Sequence, residues 1–139
     1  MINDETKRKL RELNIAEIIA GLEIQQSNPA SLALSFDERM QFLVDYVYQE
    51  KYNGKIQRLI KSARFRFPQA DIHGVYFDNR GLDKNLLNDL FTCQYIDYHQ
   101  SIILQGFTGS GKTYLGCALG KQACLNQIKT RYIRLPDLL

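Results

Sequence analysis

The octapeptide Gly106-Phe107-Thr108-Gly109-Ser110-Gly111-Lys112-Thr113 constrains this chain more than any other stretch. It lies between the apolar run Ile102-Ile103-Leu104 and an amphipathic segment that begins at Lys112. It fits GxxxxGK[ST], the pattern of a phosphate-binding loop set between a strand and a helix. A polyphosphate has to be wrapped by backbone N–H groups, so side chains must be absent where the backbone comes close. Glycine at 106, 109 and 111 permits that approach and the unusual dihedrals it needs. The helix that follows offers unpaired N–H groups and the positive end of its dipole. In that frame Lys112 reaches the β- and γ-phosphates, and the Thr113 hydroxyl ligates Mg²⁺, a hard cation that keeps several waters. The candidate nucleotide-binding residues are therefore Gly106, Phe107, Thr108, Gly109, Ser110, Gly111, Lys112, Thr113 and Tyr114, with ATP and Mg²⁺ as cofactors.

The segments around the loop predict the rest of the fold. Leu10, Leu13, Ile18, Ile19 and Leu22 recur at helical spacing, and Asn14 with Glu17 offers a capping box that restarts a helix. Ser35-Phe36-Asp37-Glu38 offers a second, opening a helix that runs to about Ala63 with a bend expected near Asn53-Gly54. At about 100° per residue, Tyr52, Ile56, Leu59, Ile60 and Ala63 share one side of that helix. After Pro68 the character changes. Residues 72–77 predict a short strand, Asp78-Asn79-Arg80-Gly81 a turn, and 82–91 a helix. Residues 95–100 connect to a strand at 102–105, the loop, a helix over 112–126 and a second strand at 130–135. Pro136 opens a further helix. The predicted class is α/β: an all-helical module over residues 1–67, then the strand–loop–helix–strand start of a nucleotide-binding domain over 68–139.

Charge adds one feature. The net charge is only +3, but between Lys51 and Phe67 stand Lys51, Lys55, Arg58, Lys61, Arg64 and Arg66 with no acid among them. These six are candidate contacts to the phosphates of double-stranded DNA, salt-dependent and without sequence information. A solvated helix face is the other reading of the same run. Cys93, Cys117 and Cys124 form no CxxC pair and no cluster with histidine, which suits buried, reduced thiols and a cytoplasmic location. His73 and His99 stand alone. No apolar run approaches the ~18 residues that a membrane span requires, and MINDETKRKL lacks the apolar core of a secretory signal.

Four separated stretches carry a resemblance: LSFDERM at 34–40, ARFR at 63–66, RGLD at 80–83 and YIDYHQSIILQGFTGSGKTYLGCALGKQA at 95–123. In this order they resemble the IstB-like ATP-binding proteins, helper ATPases of bacterial insertion sequences, close to helicase loaders of the DnaC type within the AAA+ group. The resemblance covers nearly the whole chain. It implies an N-terminal helical domain joined to an AAA+ domain, ATP-dependent oligomers on DNA, and a transposase partner. Gly106, Gly109, Gly111, Lys112 and Thr113 match the family's phosphate loop, and Phe107 stands where proline is more usual. The segment Arg80-Gly81-Leu82 precedes the loop as the family's adenine-side segment does, though a plain turn explains it as well.

Phosphate-loop ATPases use an acid at the end of a later strand to hold Mg²⁺ and orient water. From Lys112 to Leu139 the one acid is Asp137, after a proline at a helix start. The chain thus reads as the N-terminal portion of a longer protein, shortened in the gene or by design, with nucleotide binding and without the hydrolytic half. A two-strand fragment would leave apolar faces uncovered, so the C-terminal part is expected to be loose and prone to association. Three other readings remain at this point: a DNA- or protein-binding adaptor with a vestigial loop, a helicase loader of the DnaC type, and a small phosphate-loop kinase, which the basic helical module does not suit.

Overall fold

The computed structural model describes residues 1–75, 81–107 and 109–139. The helices are α1 (Asp4–Glu12), α2 (Glu17–Ser27), α3 (Pro29–Leu32), α4 (Phe36–Ala63), α5 (Lys84–Phe91), α6 (Gln94–Asp97), α7 (Lys112–Leu125) and α8 (Leu135–Leu138), with a 3-10 turn at Ile72–Gly74. The chain divides into two compact units, Met1–Gly54 and Lys55–Leu139, and the cut falls inside α4.

In the first unit, short polar side chains set the helix starts. Asn3 Oδ1 accepts from Thr6 N–H at 2.8 Å and opens α1, and Asn28 Oδ1 accepts from Ala30 N–H at 3.1 Å and opens α3. The box at Ser35 is reciprocal: Ser35 N–H donates to Glu38 Oε2 at 2.9 Å, and Glu38 N–H donates to Ser35 Oγ at 3.2 Å. The box expected at Asn14 does not form. Asn14 is left-handed (φ 59°) and carries the turn between α1 and α2, while the N-cap of α2 is Ala16, with no side-chain bond. Glu17 serves that end instead. Its carboxyl is held below the usual range by its own backbone N–H first and then by Lys51, whose Nζ lies 3.3 Å away and also donates to Asn14 O at 2.6 Å. Inside the unit, buried Gln25 donates to Arg39 O at 2.8 Å and accepts from Arg39 Nε at 3.1 Å.

The second unit is built around α7. One side of α7 puts Cys117, Ala118 and Cys124 against Ala63, Phe65 and Ala70. Another puts Leu115 and Leu119 against Leu87 and Phe91 of α5. A helix covered on two sides reads as apolar nearly all round, which LGCALGKQACL does. Helix α4 runs unbroken through Asn53-Gly54, and its predicted inner side holds: Ile56 and Ala63 are buried, with Leu59 and Ile60 partly so. The three cysteines are buried free thiols, and burial pushes those of Cys93 and Cys124 above their ordinary range.

The α/β class is overturned. The described residues form helices and no strand or sheet. Residues 72–74 form the 3-10 turn, capped by Asp71 Oδ1 accepting from His73 N–H at 2.8 Å, with Val75 as its C-cap; residues 76–77 of that predicted strand lie outside the described residues, as do 78–80 of the predicted turn. Residues 102–105 and 130–134 belong to no helix and no strand. β-branched apolar content biases a backbone towards extension, whereas a strand exists only through ladder bonds to a second backbone. Tyr132 N–H spends its bond on Ala63 O, at the end of α4, at 2.8 Å. Ile102 and Leu104 reach into the α5–α7 cluster while Ile103 between them is 80% exposed, so alternation survives without a sheet. Among the described residues no helix is long and apolar enough to cross a membrane.

Candidate nucleotide site

The loop closes with Ser110 N–H donating to Phe107 O at 3.1 Å. Gly109 (φ 80°) and Gly111 (φ 95°) are left-handed, a conformation that a side chain would strain. Gly111 is the N-cap of the 14-residue α7 and supplies no capping side chain, unlike Asn3, Asn28 and Asp83 at the starts of α1, α3 and α5. The first backbone rung there is Leu115 N–H to Gly111 O at 3.0 Å. The N–H groups of the opening turn are therefore the ones that a helix leaves for an outside acceptor. Lys112 Nζ donates to Gly106 O at 2.6 Å, so the ammonium lies across the loop from its last residues to its first.

Two cavities border this loop. The first, of about 550 Å³, is lined by Gln105, Gly106, Phe107 and Ser110 and by an apolar wall of Val75, Leu82, Leu104 and Leu115. The second, of about 600 Å³, is lined by Gly109 and Thr113 together with Arg66 and Phe67. Gly111, Lys112 and Tyr114 line both, so both open onto the start of α7. The Tyr114 hydroxyl accepts from Asp71 N–H at 3.3 Å, and its ring centroid lies 6.3 Å from that of Phe67. Of the predicted nucleotide residues, Gly106, Phe107, Gly109, Ser110, Gly111, Lys112, Thr113 and Tyr114 are thus gathered around two neighbouring spaces; Thr108 lies outside the described residues. Of the adenine-side segment, Leu82 lines the first cavity, Gly81 is left-handed (φ 65°), and Arg80 lies outside the described residues.

The six basic residues do not act as one set. Lys51 is held at the α1–α2 junction, and Lys55 Nζ donates to Gln127 Oε1 at 2.9 Å. Arg66 stacks on Phe67 with its guanidinium carbon 5.4 Å from the ring centroid. Arg58, Lys61 and Arg64 are exposed and form no ion pair among the described residues, where Arg64 is also left-handed (φ 56°) and ends α4. The place of Arg66 and Phe67 beside the loop was missed by sequence reasoning, because nothing local links them to residues more than forty positions on. Among the described residues no group of three or more His, Cys, Asp or Glu is placed to hold a metal ion.

Comparison with known proteins agrees with the sequence resemblance. The family model described as IstB-like ATP binding protein matches residues 8–139. A protein of Pseudomonas fluorescens named as an insertion-sequence ATP-binding protein is 34% identical over 140 residues, covering 100% of this chain and 61% of the relative. A similarly named protein of Sinorhizobium fredii is 29% identical over 138 residues, covering 99% of this chain and 56% of the relative. Another, of Geobacillus stearothermophilus, is 27% identical over 106 residues, covering 76% and 42%. The chain spans about three fifths of the length of the first two.

Proposed function

The chain belongs to the IstB-like ATP binding protein family, and from that premise we propose that residues 106–114 bind the triphosphate of ATP in a protein that assists a transposase on double-stranded DNA as a self-associating assembly. The observation that carries the nucleotide reading is the pairing of left-handed Gly109 and Gly111 with Lys112 at the uncapped start of α7. Carbonyl oxygen is a neutral acceptor, whereas a triphosphate offers several negative charges, so the Lys112 ammonium would exchange Gly106 O for phosphate. The apolar wall of Val75, Leu82, Leu104 and Leu115 suits the flat face of a base.

Mg²⁺ fits the donor chemistry, since it takes one or two protein oxygens alongside phosphates and waters, and the Thr113 hydroxyl lines the second cavity with Lys112. When bound, the ion would neutralise charge between neighbouring phosphates. The Lys112–Gly106 bond also suits an adaptor whose loop is vestigial and shut on itself. Titration with a fluorescent ATP analogue separates the two. Binding is expected to strengthen with Mg²⁺, and Thr113→Val is expected to remove that gain while keeping the Mg²⁺-independent part. Affinity that ignores both the metal and the substitution would favour the adaptor.

For DNA, the proposed contacts are Arg58, Lys61 and Arg64, the exposed members of the basic run. Duplex binding followed by anisotropy across a salt series is expected to show a steep slope. Replacing Arg58 and Lys61 with glutamine should lower that slope by about two, one per lost phosphate contact. Lys51→Gln should leave the slope alone, because Lys51 serves Asn14 and Glu17. A slope indifferent to Arg58 and Lys61 would remove them from any DNA interface.

A further inference from the structure

We propose that Arg66 binds the terminal phosphate of the nucleotide and so gives this chain a preference for the triphosphate over the diphosphate; the inference rests on the nucleotide reading above. Three observations place the guanidinium. The backbone leading into it is pinned, since Ala63 O accepts from Tyr132 N–H and the Phe65 ring is buried in the α7 core. The guanidinium is stacked on Phe67, and Phe67 lies beside Tyr114 in the first turn of α7. Arg66 then shares a cavity with Gly109, Lys112 and Thr113.

The two cavities differ in chemistry: the first has the apolar wall, and the second adds Arg66 and Thr113. The apolar space borders residues 105–107 and 110–112 and, with its wall of Val75, Leu82, Leu104 and Leu115, suits the base. The second space shares Gly111, Lys112 and Tyr114 with it and adds Gly109 and Thr113, so a nucleotide whose base occupies the first space can extend its phosphates past Lys112 into the second. Arg66 is the cation that this second space adds to Lys112. A guanidinium suits that position because it stays charged, its planar fork matches a phosphate, and stacking on a ring leaves its edge donors free to bind. A diphosphate is one charged group shorter and leaves Arg66 little to hold.

The test measures ATP and ADP affinity, each with Mg²⁺, for the unaltered chain and for Arg66→Ala, Arg66→Lys and Lys112→Ala. Arg66→Ala is expected to weaken ATP roughly tenfold or more, the loss of a charge-assisted contact, and ADP by less than about twofold. Arg66→Lys should recover only part of the difference, because a point charge replaces a fork. Thermal melts accompany each variant, and the side chain is exposed, so little change is expected there. An equal loss for both nucleotides, or none, overturns the proposal, as does an effect of Arg66→Ala confined to DNA binding. If Lys112→Ala weakens both nucleotides while Arg66→Ala weakens neither, the nucleotide reading stands and only this inference falls. If the unaltered chain binds neither nucleotide, both fall.

Discussion

Lys112→Ala is expected to weaken ATP binding by roughly 10–100-fold, the range for removing a hydrogen-bonded charge from an ionic partner, and to leave the thermal midpoint nearly unchanged. The two halves of that result have separate causes. In the protein the Lys112 ammonium bonds to a single exposed carbonyl, that of Gly106, and a solvent-accessible bond of that kind adds little to stability. Alanine is also the best helix former, so the first turn of α7 is not weakened by the exchange. The affinity loss comes from the bound state, where the ammonium faces charge in place of a neutral oxygen. Lys112→Arg should fall between the two, because the planar fork does not reproduce a compact ammonium reaching over a glycine loop. Equilibrium titration beside a thermal melt reads both quantities. Unchanged affinity in Lys112→Ala would detach the ammonium from the ligand and take the proposed site with it.

What the residues reveal in advance depends on how local the governing interaction is. Ser35 and Glu38 lie three apart, and their box is visible in four letters because both partners belong to the same turn. The start of α7 is fixed just as locally by Gly111-Lys112-Thr113. Asn14 and Glu17 have the same spacing as the Ser35 box and fail to form one. Asn14 is drawn into a left-handed turn, a conformation asparagine tolerates, and Lys51 from 37 positions away takes both its carbonyl and the Glu17 carboxylate. The predicted strands fail for the same reason on a larger scale. Side-chain character at 102–105 and 130–135 specifies extension, but ladder partners have to come from elsewhere in the chain, and among the described residues none does. The candidate site divides along this line too. Its loop is written in one octapeptide, whereas Arg66 and Phe67 reach it through ring packing against Tyr114 that no local pattern encodes.

The same long-range packing predicts that Phe65→Ala is the most damaging single change in the second unit. Phe65 is 8% exposed and lies in the cluster with Ala63, Ala70, Cys117, Ala118 and Cys124. It has so much contact because α7 presents glycine beneath it: a carbon added at Gly120 would fall 2.5 Å from Phe65 Cε1 and 2.9 Å from Cζ. Removing a buried phenyl ring costs about 3–5 kcal/mol, much of the stability a small domain possesses. A drop in the thermal midpoint on the order of 15 °C or more is expected for a unit of this size. Gly120→Ala attacks the same contact from the other side. Overpacking costs about 1–3 kcal/mol, and roughly 1 kcal/mol is returned by better helix propensity, so its penalty should be the smaller. Combining Gly120→Ala with Phe65→Leu should cost less than the sum of the two single changes, since the shorter side chain vacates the volume that the new methyl needs. Hydrogen exchange locates the effect: Phe65→Ala should lower protection in α7 while α1 and α2 keep theirs. ATP affinity should fall with it, because Phe65 anchors the backbone that brings Arg66 and Phe67 to the loop. A Phe65→Ala chain that melts within about 2 °C of the original would show that the ring is not the clamp between the end of α4 and α7, and the placement of Arg66 would lose its support.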